Sequence, residues 1–242
     1  MKILIVNDDS ITAPGIETLA CAAMEFGDVY VAAPAEQCSA MSQKLTLRER
    51  ISVEQVTDFP VPLKAAWKIG GTPVDCVKVA LDYLLEEKPD WVLSGINNGY
   101  NAGFDIAYSG TLGAAFEAAR NGIPAIALSI AHEKYLDEAE AYIVPILREL
   151  LEQKPKAGNV WNVNFPSLKE GLPKGTLRGR TVAPTSMFRE TYIEVPQPDG
   201  TMALACQGIP TPTELFPEGS DAKAVRDGYI SIGTVGCFDE KL

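Results

Sequence analysis

Residues 2–34 read KILIVNDDSITAPGIETLACAAMEFGDVYVAAP, and the order of apolar runs within them decides the fold class. KILIV is short, apolar and rich in β-branched residues, the composition of a strand buried on both faces. Asn7, Asp8, Asp9 and Ser10 follow it as a polar turn. Beyond Pro14-Gly15, the apolar positions Ile16, Leu19, Ala23 and Met24 fall near helical spacing, and Gly27 is placed to stop that helix. DVYVAAP supplies a second buried strand and completes a βαβ unit of about 30 residues. Such a unit implies a parallel sheet covered by helices.

The same alternation continues outward. AAWKI, WVLSG and PAIALSI read as strands, while VDCVKVALDYLLEEK, TLGAAFEAARNG and the stretch from Ala139 to Leu151 read as helices. From Gly158 the character changes: VWNVNFP, TLRGRTVA, TYIEV and MALACQG are short strand-like runs between Gly and Pro signals. These predict antiparallel hairpins appended to an α/β core. The expected organisation is one domain, with a core over about 1–157 and a hairpin arm with a C-terminal strand over about 158–242.

Composition narrows the chemistry. The 242 residues are 46% hydrophobic, enough for one sizeable core. A net charge of −11 disfavours a footprint on a nucleic-acid duplex, which needs clustered Lys and Arg. No apolar run reaches the roughly 20 residues of a membrane span, and MKILIV is too short for the core of a signal peptide. The five cysteines are scattered without a CxxC pair, which suits reduced thiols in a cytoplasm. His132 is the one histidine, so multi-histidine zinc sites and histidine-based nucleophilic catalysis lose most of their support, and His132 itself reads as structural or exposed. Carboxylates, hydroxyls, amides or a hard metal must carry any reaction.

In open parallel sheets, ligands sit beyond the carboxyl ends of the strands. The residues there are polar: Asn7 to Ser10 after the first strand, Glu36, Gln37 and Ser39 after the second, and Ser94, Asn97, Asn98 and Asn101 after WVL. Adjacent carboxylates with hydroxyl and amide oxygens suit Mg²⁺, Mn²⁺ or Ca²⁺ better than zinc, and a cation would relieve the repulsion between Asp8 and Asp9. Taken alone, Asp8-Asp9 is equally well explained as a turn or helix cap. Ser109, Gly110 and Thr111 stand at the start of a predicted helix, where exposed amides and the positive helix end favour a phosphate, although an ordinary N-cap explains them too. In GGTPVDCV, Thr72 and Asp75 read as helix capping rather than catalysis, with Cys76 a small buried residue.

NDDS with APGI, Ser39 before a small residue, GTPVDCV, SGINNGYNAG, YSGTLGAA, NVNFP and SDAKAVRDGYISI occur in that order across nearly the whole chain. Together they resemble the SurE nucleotidases. The resemblance implies a Rossmann-like three-layer core with a C-terminal arm for assembly into dimers or tetramers. It also implies metal-dependent release of phosphate from nucleoside 5′- and 3′-monophosphates, and from short polyphosphate. Carried over residue by residue, it places one divalent cation on Asp8, Asp9, Ser39 and Asn97, with Ser109, Gly110 and Thr111 facing the phosphate. Here Ala40 stands where many relatives have Gly, and AEQC lacks the Arg residues of some. The tail GTVGCFDEKL departs from the usual pattern, with Asp239 at an acidic position of interest in some members.

The implied mechanism is in-line attack of water on a phosphate, with a carboxylate, Asp8 or Asp9, assisting proton transfer or forming an aspartyl-phosphate. Two other classes compete: a receiver-like phosphoacceptor that uses the acidic turn for Mg²⁺, and a nucleotide-binding module without catalysis. A haloacid-dehalogenase-type phosphatase would require Asp-x-Asp after the first strand, whereas these two acids are adjacent.

Overall fold

The computed structural model of the chain describes residues 1–236. Asp239 and Cys237 lie outside the described residues. The fold is α/β, built on a nine-stranded sheet. In chain order its first elements are β1 (Lys2–Val6), α1 (Pro14–Ala23), β2 (Asp28–Pro34), β3 (Val53–Val56), β4 (Ala65–Ile69) and α2 (Pro73–Val79). Then come β5 (Trp91–Asn98), α3 (Gly110–Arg120), β6 (Ala125–Ile130), α4 (Leu136–Leu151), β7 (Asn159–Phe165) and β8 (Thr176–Arg180). The hairpin strands β9 (Phe188–Pro196) and β10 (Met202–Pro210) precede α5 (Asp221–Arg226) and β11 (Ile230–Gly236).

The strand order is β3-β4-β2-β1-β5-β6-β7-β11-β8. β4, β2, β1, β5, β6 and β7 run parallel, while β3 pairs antiparallel with β4, and β11 antiparallel with β7. Alternation along β1 explains the layering, because successive side chains point to opposite faces. Ile3 and Ile5 pack in one core with α1 and α4, and Leu4 and Val6 in another with α2 and α3. All four are fully buried, each contributing about 1.5–3 kcal/mol of hydrophobic stabilisation.

Several expectations change at element ends. The first helix stops at Ala23, before Gly27. The helix expected over 74–88 is α-helical only to Val79; Ala80–Leu84 is a wider π turn closed by Leu85 N–H donating to Ala80 O. β3 was not anticipated, since VEQV lies on the sheet edge, mostly exposed, and lacks an apolar signature. Of the strand-like runs after Gly158, β7, β8 and β11 extend the main sheet, and β9 and β10 form the separate antiparallel hairpin. β7 buries five of its seven residues within the sheet, β8 closes the sheet as a short edge strand with none buried, and β9 likewise buries none.

A third, smaller core gathers Ala102, Ala183, Met187, Phe216, Ala222 and Val225. Asp221 binds it together, accepting from the N–H groups of Gly103, Ala183 and Ala222 at 3.1, 2.9 and 2.7 Å. The asparagine-rich loop after β5 is thereby braced by the chain around α5.

Candidate functional site

The site lies where β1, β2 and β5 end and α3 begins. β5 runs past the expected WVLSG to Asn98, because its pairing with β6 shifts register between Ser94 and Asn97. Asn97 therefore sits on the strand, opposite Ser129, instead of on a free loop. Three hydrogen bonds draw the segments together. Cys38 N–H donates to the Asp8 carbonyl at 2.7 Å, which brings Ser39 to the end of β1. Asn98 N–H donates to Asp9 Oδ2 at 2.8 Å, and Thr111 Oγ1 donates to Asp8 Oδ1 at 2.8 Å.

The two carboxylates differ in setting. Asp8 is 3% exposed, and burial pushes its carboxyl up to about 6, against the hydrogen bonds from Thr111 and with the help of the Asp9 charge. Asp9 is partly exposed, with Gln37 Nε2 at 3.5 Å from its Oδ1. Loop backbone is held in the left-handed region at Ser10 (φ 95°), Ala40 (φ 57°) and Ser42 (φ 52°). These are the three non-glycine residues with positive φ among those described, and Ser10 and Ala40 each adjoin a candidate ligand. Such conformations persist where surrounding structure over-determines them.

The donor set fits a hard divalent cation. No group of three or more His, Cys, Asp and Glu side chains is gathered for a metal among the described residues, so neutral oxygens must complete any shell around Asp8 and Asp9. Asn97 Nδ2 donates to Gly99 O at 2.8 Å, which leaves its carbonyl oxygen as the coordinating end. Asn7 donates through Nδ2 to Ser10 O, and its buried Oδ1 has no hydrogen-bond partner. A buried acceptor without a protein partner beside two carboxylates is compatible with a bound cation or an ordered water.

Ser109, Gly110 and Thr111 divide their roles. Ser109 Oγ accepts from Leu112 N–H at 3.0 Å and is the N-cap of α3. Gly110 lies against Asp8, where an added Cβ would stand 2.9 Å from Asp8 Cβ, so only glycine permits this approach. Thr111 is fully buried, with its hydroxyl directed to Asp8. The expected capping at Thr72 and Asp75 is present as a reciprocal capping box. Asp75 also accepts from Thr46 N–H at 3.0 Å and Thr46 Oγ1 at 2.6 Å, pinning the far end of the Ser39 loop to α2. Burial would raise the Asp75 carboxyl, but these bonds outweigh it and hold it below its ordinary value. Cys76 is fully buried. His132 is exposed and accepts from Lys134 N–H at 3.2 Å.

Sequence reasoning missed the buried amide network beneath the site. Asn101 Nδ2 donates to Ser129 Oγ at 2.7 Å and to Thr111 Oγ1 at 3.2 Å. Its backbone N–H donates to Asn164 Oδ1, and its carbonyl accepts from Asn162 Nδ2 and Asn164 Nδ2 at 2.9 and 3.0 Å. The network thus reaches Asp8 through Thr111. Its signal lay in NVNFP: alternate asparagines place two amides on one face of a buried strand.

The family model described as "Survival protein SurE" matches residues 3–193. The chain belongs to the SurE family. That match takes in every residue of the site and of the amide network, and ends within β9. The chain is 39% identical over 238 residues to the "5′-nucleotidase SurE" of Synechococcus sp. (strain JA-3-3Ab), covering 96% of this chain and 90% of that one. It is 38% identical over 234 residues to the "5′/3′-nucleotidase SurE" of Edwardsiella ictaluri (strain 93-146), covering 96% and 88%. The crystal structure of the SurE protein from Aquifex aeolicus superposes with a TM-score of 0.82 at 32% identity, over 100% of this chain and 95% of that one.

Proposed function

We propose that this SurE-family chain is a metal-dependent nucleotidase, a phosphomonoesterase that releases phosphate from nucleoside 5′- and 3′-monophosphates. The observation that carries the reading is the meeting of Asp8 and Asp9 with the Ser39 and Asn97 segments at the carboxyl ends of central strands, beside the start of α3. Relatives named as nucleotidases supply the substrate class, and the receiver-like and non-catalytic readings have no such support.

Asp8, Asp9, Ser39 and Asn97 would hold one Mg²⁺ or Mn²⁺, with Ca²⁺ as a substitute. When bound, the cation shields phosphate charge and lowers the pKa of a ligated water. The residues of the chain do the rest. Asp8, buried and held by Thr111, is the fixed member of the pair. Asp9, the more exposed of the two, would take a proton from attacking water. Ser109, Gly110 and Thr111 bring the positive end of α3 toward the phosphate. Thr111 acts there through its backbone and its hold on Asp8, its hydroxyl being committed.

The same reading places the β9–β10 hairpin in self-association, as a homodimer or tetramer, because Tyr192, Ile193, Met202 and Leu204 are all at least 49% exposed on it. No helix among the described residues is long and apolar enough to cross a membrane, and the described cysteines are free. Both fit the cytoplasmic setting we assign. The test is phosphate release from a nucleotide panel with Mg²⁺, Mn²⁺ or chelator. Wild type should require metal, and Asp9→Asn and Asn97→Ala should each lose most activity. Undiminished release in chelator, or from the variants, would overturn the assignment.

A further inference from the structure

Residues 35–52, between β2 and β3, form neither helix nor strand, and holding so long a connection in one course costs conformational entropy. This loop carries Ser39 and is tied to three different parts of the fold. Near its start, Cys38 N–H donates to the Asp8 carbonyl. Further on, Thr72 Oγ1 donates to Lys44 O at 2.6 Å, and Asp75 accepts from Thr46. Between these ties stands Ser42. Its N–H donates to Tyr108 O at 2.9 Å, and its Oγ donates to Ala107 O at 2.8 Å.

The turn that Ser42 grips, Phe104–Tyr108, is itself anchored. Phe104 N–H donates to Thr185 O at 3.1 Å, and Asp105 Oδ2 accepts from Met187 N–H at 2.9 Å, so the turn is bound to the root of the hairpin. It leads directly into Ser109, Gly110 and Thr111. Ser42 also rests on α3, where a Cβ added at Gly113 would stand 2.2 Å from Ser42 O, an approach that glycine permits. Ser42 holds this place with φ at 52°, a left-handed conformation that disfavours a residue with a Cβ and that glycine adopts freely. Glycine would lose the bond from Oγ.

We propose that Ser42 is a positioning residue for phosphate release: its hydroxyl bond to Ala107 sets the separation between the loop bearing Ser39 and the start of α3. This rests on the nucleotidase reading above. In that reading Ser39 serves the cation and Ser109 to Thr111 serve the phosphate, so the two segments must meet at one phosphate group. A misplacement of about 1 Å between such segments can cost on the order of 100-fold in rate. Ser42 acts through both segments and is not a catalytic residue.

The test uses two variants of the full chain. Ser42→Ala removes the hydroxyl and keeps the disfavoured backbone, whereas Ser42→Gly removes the hydroxyl and relieves the backbone. Each should lower kcat for a nucleoside 5′-monophosphate about tenfold with KM within about threefold of wild type, the pattern of lost transition-state alignment. Each should also weaken Mn²⁺ binding about three- to tenfold, read by calorimetry without substrate. If Ser42 serves only to form a left-handed turn, Ser42→Gly keeps wild-type kcat and Mn²⁺ affinity, and that result overturns the proposal. It is equally overturned if Ser42→Ala lowers the melting temperature while kcat and Mn²⁺ affinity, measured below the melting range, stay at wild-type values. Should Ser42→Ala fold poorly, Ser42→Gly, whose backbone suits the site, decides alone. Absence of metal-stimulated release by wild type would instead sink the nucleotidase reading itself.

Discussion

Thr111 Oγ1 donates to Asp8 Oδ1 across 2.8 Å, joining the first turn of α3 to the end of β1. The bond spans 103 positions of chain and fixes the rotamer of a buried carboxylate. Thr111→Val keeps the shape and removes the donor. We expect it to weaken metal-dependent phosphate release about 10–100-fold, the usual cost of losing a group that orients a ligand. Thr111→Ser should recover most of that loss. Titrating Mn²⁺ against activity in both variants checks this, and equal behaviour of Val and Ser would contradict it.

The Asp8 carboxyl, raised to about 6 from 3.8 by burial, makes the metal-free chain sensitive to pH. The folded state favours the protonated form, so this group favours folding most below about pH 4 and progressively less as pH rises. Between pH 4 and 6 the loss amounts to something on the order of 3 kcal/mol, with no further change above the folded pKa. Denaturant melts in chelator across pH 4–7 should show this decline, and Asp8→Asn should flatten it. The same protonation opposes cation binding, so apparent metal affinity should fall as pH drops below about 6.

Ala40 holds φ at 57° directly after Ser39. An L residue with a Cβ is disfavoured there by about 1–2 kcal/mol, and glycine is not, although its greater freedom when unfolded returns part of the gain. Ala40→Gly should raise stability by roughly 0.5–1 kcal/mol, read as a higher denaturation midpoint at unchanged slope. A lower midpoint would show that the loop depends on the alanine methyl.

Asn164 joins β7 to Asn101 through a donor and an acceptor, both buried. Asn164→Leu would strand Asn101 N–H without its acceptor, at a cost of about 1–3 kcal/mol. Because Asn101 leads to Thr111, activity should fall alongside the melting temperature. Asn121 caps the far end of α3, so Asn121→Ala, equally close to α3, should lower the melting temperature with kcat unchanged.

The hairpin supplies an independent test of assembly. Ile193 and Leu204 are 49% and 58% exposed on β9 and β10. Ile193→Glu with Leu204→Glu should shift the protein to a smaller species in sedimentation, with little loss of chain stability. An unchanged sedimentation coefficient would remove the hairpin from the proposed interface.

How much of this was legible from residues depends on whether the signal is local. The βαβ opening was readable because buried parallel strands are apolar on both faces and the intervening helix repeats near 3.6 residues. Asp8-Asp9 stood out because two adjacent acids at the end of such a strand must find water, a cap or a cation. The resemblance to SurE nucleotidases likewise rested on ordered short strings, and the family match agrees with it. β3 stayed hidden because an exposed edge strand has no apolar alternation to read.

Tertiary structure decided the rest. Nothing in the local sequence distinguishes Thr111 as an N-terminal helix residue open to phosphate from Thr111 as the side chain that holds Asp8. The choice arises when Gly110 lets α3 approach the end of β1. Likewise, Asn162 and Asn164 are only alternate polar residues until β7 lies beside β6 and their amides meet the Asn101 loop. A composition and a period determine which faces are buried, because burial is averaged along an element. Which buried polar groups become partners depends on strand order and crossing loops, and those are properties of the whole chain.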